Sequence, residues 1–129
     1  MNMQELGTIA QYNIPIKVFI INNGFLGMVR QWEDRFYEGY HGETCLSRNP
    51  NCSPACKYDG DGCSNLNPDL LKLSSAYGIN SLRITKNEEV RPGILKAMSS
   101  PGPYIVDIWV DKREDVMPMI PPGKGLNDI

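Results

Sequence analysis

Histidine occurs once in the 129 residues, at His41, and cysteine is absent outside the stretch from Cys45 to Cys63. A lone imidazole, with no serine or cysteine nucleophile in a suggestive context, leaves a Ser-His-Asp or Cys-His arrangement unsupported. An excess of either charge is missing too. Thirteen Lys and Arg face 15 Asp and Glu, for a net charge of −2 and a pI near 5.3, so there is no basic footprint for nucleic acid or an anionic membrane. No aliphatic or aromatic run exceeds Val18-Phe19-Ile20-Ile21, far short of the roughly 20 residues of a membrane span. Met1-Asn2-Met3-Gln4-Glu5 offers neither a basic nor an apolar leader region, which argues against a secretory signal. Gly123-Lys124-Gly125 lacks the frame of a phosphate-binding P-loop. With 41% hydrophobic and 22% charged residues, the composition is that of a globular chain of one domain's length. Its expected setting is the cytoplasm or an organelle.

What the chain does have is alternation of helix and strand signals. Met3, Leu6, Ile9 and Ala10 share a helical face, and Asn13 and Pro15 end it. Ile16-Lys17-Val18-Phe19-Ile20-Ile21 then reads as a strand buried on both faces, as in a helix-covered parallel sheet. Asn22-Asn23-Gly24 is a turn signal, and a helix is predicted from Leu26 to Phe36. Residues 37–66 show no periodicity and contain all four cysteines, and a structureless stretch of that length calls for a functional or separately clamped loop. Order returns with Asn67 as a cap, Pro68 in the first helical position and Asp69 at the positive end of the dipole. Leu70, Leu73 and Tyr77 form its inward stripe and Gly78 suits its C-terminal cap. Ser81–Ile84 reads as a strand, and Asn87 to about Met98 as a helix in which Pro92-Gly93 predicts a kink or a late start. Tyr104–Val110 is the last strand, and residues 116–129, with Pro118, Pro121, Pro122, Gly123 and Gly125, form an irregular tail. The pattern predicts an α/β fold with a parallel sheet flanked by helices.

The chemistry concentrates in Asn22-Asn23-Gly24-Phe25-Leu26-Gly27-Met28, at the carboxyl end of the first strand and the start of a helix. Open α/β sheets bind ligands at that edge. Free amides at a helix N-terminus attract phosphate, and an Asn side-chain oxygen with a main-chain carbonyl suits Mg²⁺. The residues alone therefore suggest a diphosphate–Mg²⁺ site, or simply a turn.

Leu26-Gly27-Met28-Val29-Arg30-Gln31-Trp32-Glu33-Asp34-Arg35-Phe36-Tyr37 closely resembles the C-terminal region of the acetolactate synthase (acetohydroxyacid synthase) catalytic subunit, a thiamine-diphosphate-dependent family. The likeness extends through Met3-Gln4-Glu5-Leu6, Ile20-Ile21-Asn22-Asn23, Pro68-Asp69, Ala76-Tyr77-Gly78-Ile79, Gly102-Pro103, Val110-Asp111-Lys112 and Val116 to Gly123. It implies that residues 1–129 form the C-terminal portion of a thiamine-diphosphate-binding domain, carrying a 37–66 insertion and a 116–129 tail. By resemblance, Asn23 and the carbonyl of Phe25 would hold Mg²⁺, and Leu26, Gly27 and Met28 would line the cofactor. Met28 and Trp32 would shape the substrate channel, with Trp32 helping to select the second 2-ketoacid. The tail around Pro121 and Pro122 would fold over the entrance. The implied reaction condenses pyruvate with pyruvate or 2-ketobutyrate, with loss of CO2, in branched-chain amino-acid biosynthesis. A homo-oligomer, and a plastid or mitochondrial location in a eukaryote, follow from the same resemblance.

Two departures bear on activity. The Gly-Asp-Gly element of that superfamily, whose Asp is the principal Mg²⁺ ligand, would precede Met1, and Gly60-Asp61-Gly62 lies on the wrong side of the Asn pair to replace it. No catalytic set is complete, so the chain is expected to be inactive alone. The cysteines Cys45, Cys52, Cys56 and Cys63 follow a C-x6-C-x3-C-x6-C spacing on which the family pattern is silent. Zn²⁺ ligation, one or two disulfides, and free thiols all fit it. A different 2-ketoacid decarboxylase, or a non-catalytic zinc-binding or interaction module built on Cys45–Cys63, are the alternative functions. Arg30 and Arg35 read as surface salt-bridge partners, and Glu33-Asp34 and Glu88-Glu89 as solvated helix faces.

Overall fold

The computed structural model describes residues 2–47 and 68–128. Three parallel strands, β1 (Lys17–Asn22), β2 (Asn80–Ile84) and β3 (Tyr104–Trp109), lie in the order β1-β3-β2. Helices α1 (Glu5–Gln11), α2 (Gly27–Phe36), α3 (Leu70–Ala76) and α4 (Asn87–Ser99) connect and flank them, and a 3-10 turn covers Leu126–Asp128. The predicted α/β class and parallel pairing are therefore present.

The central strand is β3, not β1. Tyr104, Ile105, Val106 and Asp107 are all buried, because β3 pairs on both sides, with Val106 opposite Phe19 of β1 and Leu82 of β2. The apolar core joins Ile84, Ala97, Tyr104 and Val106, with Leu82, Val90 and Ile108 packed against them. Helices α3 and α4 pack over β2 and β3. The expectation that β1 is buried on both faces is corrected. Among the described residues it is an edge strand that pairs with β3 alone, and it leaves Phe19 and Ile21 exposed.

Local signals explain the helix ends. Asn13 (φ 48°) and Gly78 (φ 69°) adopt left-handed conformations just beyond α1 and α3. In each case two amides fold back, from Asn13 to Ala10 and Ile14 to Ile9, and from Gly78 to Ser75 and Ile79 to Ser74. These are Schellman caps. The N-cap of α3 is Asp69 rather than Asn67, which lies outside the described residues. The Asp69 side chain accepts from the amides of Leu71 and Lys72, so the helix starts at Leu70 and Pro68 precedes it. Helix α4 does not start late: it runs from Asn87 through Pro92 to Ser99, and at its start the Glu89 carboxylate accepts from the amides of Thr85 and Lys86. Gly93 is there for close approach. A Cβ at that position would lie 2.7 Å from Ile84 Cδ1, so the glycine lets α4 settle onto β2.

Candidate functional site

The carboxyl ends of β1 and β3 lie side by side, with Asn22 in register with Trp109. β1 ends in the predicted turn. The Asn22 side-chain oxygen accepts from the Gly24 amide at 3.0 Å, and that of Asn23 accepts from the Phe25 amide at 3.1 Å. Gly24 takes a φ of 73°, a conformation open to glycine at little cost. Helix α2 follows immediately. Among the described residues no side chain caps its start, so the first-turn amides of Gly27, Met28 and Val29 suit an anion. Gly27 also makes room for its neighbour, since a Cβ there would sit 2.6 Å from Asn23 Nδ2.

A polar knot under this turn escaped the sequence reading. Asp107 is fully buried, and its carboxylate accepts from Asn22 Nδ2 (2.9 Å), Arg83 Nε (2.8 Å) and Trp109 Nε1 (3.0 Å). Arg83 also reaches the α3 cap, with Nη2 at 3.2 Å from Asp69 Oδ1, and its guanidinium lies 4.9 Å from the centre of the Trp109 ring. A lone carboxylate at Asp107 within the otherwise apolar Tyr104–Trp109 run, with Arg83 as an opposite charge in another strand segment, was the available signal, because a buried charge requires a partner.

Helix α2 is turned in an unexpected direction. Its buried side chains are Arg30 and Gln31, while Met28, Val29, Trp32 and Phe36 are exposed. Arg30 bridges Asp34 and Asp115, each at 2.6 Å, and its Nε carries no hydrogen bond among the described residues. Gln31 pairs with both backbone groups of Val116, accepting from the amide and donating to the carbonyl at 2.9 Å each. Arg35 adds a longer contact to Asp115 at 3.6 Å. The reading of Arg30 as a surface bridge is thus overturned: it is a buried clamp between α2 and the tail. Glu33 and Asp34 are not merely solvated either. Glu33 accepts from the Gly42 amide and the Thr44 hydroxyl, and Asp34 lies 2.6 Å from His41 Nε2. Those contacts pin residues 41–44 to α2.

The predicted cofactor residues Asn23, Phe25, Leu26, Gly27 and Met28 are contiguous along this turn and helix start. Asn23 is half-buried, Phe25 is buried, and Leu26 and Met28 are each 50% exposed. Trp32 lies one turn beyond Met28 and meets Phe36 edge to face, with ring centroids 5.9 Å apart. Residues 44–46 lie against the turn itself. Cys45 bridges Phe25 in antiparallel fashion, with the Leu26 amide donating to Thr44 and the Leu46 amide to Gly24. Cys52, Cys56 and Cys63 lie outside the described residues, as does Gly60-Asp61-Gly62. Among the described residues no group of three or more His, Cys, Asp or Glu side chains could hold a metal, and no helix is long and apolar enough to cross a membrane.

The family model for the thiamine pyrophosphate enzyme C-terminal TPP-binding domain matches residues 1–108. The chain belongs to that family. Over all 129 residues this TPP-binding domain is 43% identical to "Acetolactate synthase 1, chloroplastic" of Oryza sativa subsp. japonica and to its namesake of Zea mays. It is 40% identical to "Acetolactate synthase, chloroplastic" of Arabidopsis thaliana. The chain spans 18% of the length of each of these curated relatives. Its fold matches the Rhodococcus jostii RHA1 thiamine diphosphate-dependent 4-hydroxybenzoylformate decarboxylase with a TM-score of 0.63 at 18% identity, over 88% of this chain and 18% of that one. The TPP-binding assignment agrees with the donor set. The uncapped start of α2 and the side-chain oxygen of Asn23 fit a diphosphate held beside a divalent cation.

Proposed function

We propose that the chain forms the diphosphate-binding part of a thiamine-diphosphate- and Mg²⁺-dependent acetolactate synthase, condensing pyruvate with pyruvate or 2-ketobutyrate in branched-chain amino-acid biosynthesis. The observation that carries this reading is the Asn22-Asn23-Gly24 turn feeding the uncapped α2, in a chain 43% identical to a plant acetolactate synthase. Thiamine diphosphate, when bound, supplies the electron sink for decarboxylating one 2-ketoacid and joining it to another.

The protein's part is placement. Asn23 would offer its side-chain oxygen, and Phe25 its carbonyl, to Mg²⁺, which prefers hard oxygen ligands and shares them with phosphate. The amides of Gly27, Met28 and Val29 would neutralise diphosphate charge together with the dipole of α2. The Leu26 and Met28 side chains, exposed on the approach to that helix start, would wall the cofactor from water. Met28 and Trp32 on one flank of α2 would shape the channel and discriminate the second 2-ketoacid by its alkyl group. The tail, clamped to α2 by Arg30 and Gln31, would carry Pro121 and Pro122 across the entrance. Two neutral oxygens do not complete an octahedral Mg²⁺ shell, so the full site needs ligands beyond Asn23 and Phe25, and the full enzyme would be a homo-oligomer. The chloroplastic names of the relatives favour a plastid over the cytoplasm or mitochondrion.

Replacing the matching segment of the rice acetolactate synthase 1 with residues 1–129 tests the reading. Acetolactate formed from pyruvate, dependent on added thiamine diphosphate and Mg²⁺ and lost in Asn23→Ala, is the expected result. A folded, assembled chimera that binds neither cofactor refutes it.

A further inference from the structure

A carboxylate has no hydrogen to give, so every group that faces Asp107 must donate. Asn22 does so from Nδ2 at 2.9 Å, while Arg83 and Trp109 occupy the other oxygen. A carboxamide has one donating and one accepting end. With its donating end committed to Asp107, Asn22 must direct its oxygen the opposite way, onto the Gly24 amide at 3.0 Å. That bond holds Gly24 in its left-handed conformation, and the chain then places Asn23 so that its oxygen meets the Phe25 amide. A second anchor acts at the same place, because the Asn22 carbonyl accepts from the amide of Val110, the residue after β3, at 3.0 Å. The shape of the turn is therefore set from the neighbouring strand.

We propose that Asp107, oriented by Arg83, is a positioning residue for the cofactor turn: its carboxylate fixes the Asn22 carboxamide and through it the oxygens that Asn23 and Phe25 offer to a divalent cation. The cation step rests on the reading given under Proposed function; the hold of Asp107 on the turn does not. A carboxylate that merely neutralised Arg83 inside the sheet would be dispensable once both charges were removed. A positioning carboxylate is not, because only a group unable to donate forces the orientation of Asn22.

The test uses the whole 129-residue chain, labelled with ¹⁵N, as wild type, Asp107→Asn and the charge-balanced Arg83→Gln/Asp107→Asn. Amide hydrogen exchange is followed on this chain without ligand, and Mg²⁺ is titrated in the presence of thiamine diphosphate into the rice synthase chimera carrying the same substitutions. Both variants are expected to lose about tenfold or more of the protection at the Gly24 amide relative to that of Val106, the loss of one charge-assisted hydrogen bond in the chain of contacts. Mg²⁺ is expected to bind about tenfold more weakly, as when groups behind a metal ligand are changed. A global loss of stability would lower Gly24 and Val106 together, so the ratio separates positioning from simple support. The double variant leaves no cation opposite a missing carboxylate, and it decides the matter if Asp107→Asn alone fails to fold. A folded double variant with Gly24 protection unchanged relative to Val106 overturns the proposal. If Gly24 responds as expected but the chimera with wild-type residues 1–129 takes up no Mg²⁺, the cation reading of Asn23 fails while the hold of Asp107 on the turn is upheld.

Discussion

Helices α4 and α2 each follow a strand of the same small sheet and are held by opposite means. On α4 the buried positions are Gly93 and Ala97, pressed onto Ile84 and Val106 in an apolar core. On α2 they are Arg30 and Gln31, tied by directed bonds to Asp115 and Val116, and the apolar side chains are outside. Apolar burial is non-directional and scales with area. It stabilises α4 without caring much for its exact rotation. Hydrogen bonds and ion pairs fix an orientation but add little net free energy each. They set the roll of α2 and so present Met28 and Trp32 outward, where a ligand channel would need them. One half of the molecule is built for stability and the other for placement.

The comparison is broken most severely in the apolar half. Ile84→Ala removes a fully buried side chain from beneath Gly93, and such truncations cost about 2–5 kcal/mol. Urea unfolding followed by circular dichroism should show a lower midpoint with an unchanged slope. An Ile84→Ala chain as stable as wild type would mean that the core does not lie where the packing puts it.

Gln31→Leu attacks the other half. Two reciprocal bonds to Val116 are lost, worth about 2 kcal/mol together, but they secure only the junction of α2 and the tail. Protease cleavage within residues 114–119 should become about tenfold faster or more, while the exchange protection of Val106 stays as it was. Equal loosening of both regions would erase the distinction between the two halves.

Much of this architecture was legible locally, and the part that was not has a common cause. Gly78 marked the end of α3 because a left-handed residue is needed there, and the strand runs announced themselves by β-branched residues. The turn at Asn22–Gly24 was likewise readable from local residues. Asn67-Pro68 displaced the predicted cap from Asp69 by two residues, since both residue types cap well and only the structure selects one. Arg30 and Gln31 could not be placed at all from helical periodicity. Their partners Asp115 and Val116 lie 85 residues away in sequence, and a polar residue is buried only when such a partner is supplied. The centrality of β3 over β1 is non-local in the same sense. Yet Asp107, a single carboxylate inside Tyr104–Trp109, was a clue of the kind that sequence does carry.

Gly27→Ala sharpens the contrast further by separating stability from placement within α2. Alanine is a better helix former than glycine by about 1 kcal/mol, so unfolding stability should hold or rise slightly. The new Cβ, however, would fall 2.6 Å from Asn23 Nδ2, and that side chain must rotate away from the turn. Calorimetric titration with Mg²⁺ and thiamine diphosphate should show binding weakened by about tenfold, roughly 1.4 kcal/mol. Undiminished binding would mean that the position of Asn23 is immaterial to the cofactor.

The smallest effect belongs to Asp69, where the two modes of support meet. Partial burial raises the pKa of its carboxyl group, but the amides of Lys72 and Leu71 and the charges of Arg83 and Lys72 outweigh that and hold it below its ordinary 3.8. A carboxylate with a depressed folded-state pKa adds stability that is complete above the unfolded value and disappears as pH falls through the folded one. Asp69→Asn keeps the helix cap, since Asn caps as well as Asp, but removes the charge facing Arg83. The side chain is about a third exposed, so solvent screening keeps the difference under about 1 kcal/mol. Wild type should therefore exceed Asp69→Asn slightly and constantly above about pH 5, with the gap closing as the pH drops below 3.8. Urea midpoints measured from pH 6 to pH 3 would reveal it. A gap that widened in acid would have the wrong sign for an ionised cap, and would place the support of α3 in its packing on the sheet rather than in the charge at its start.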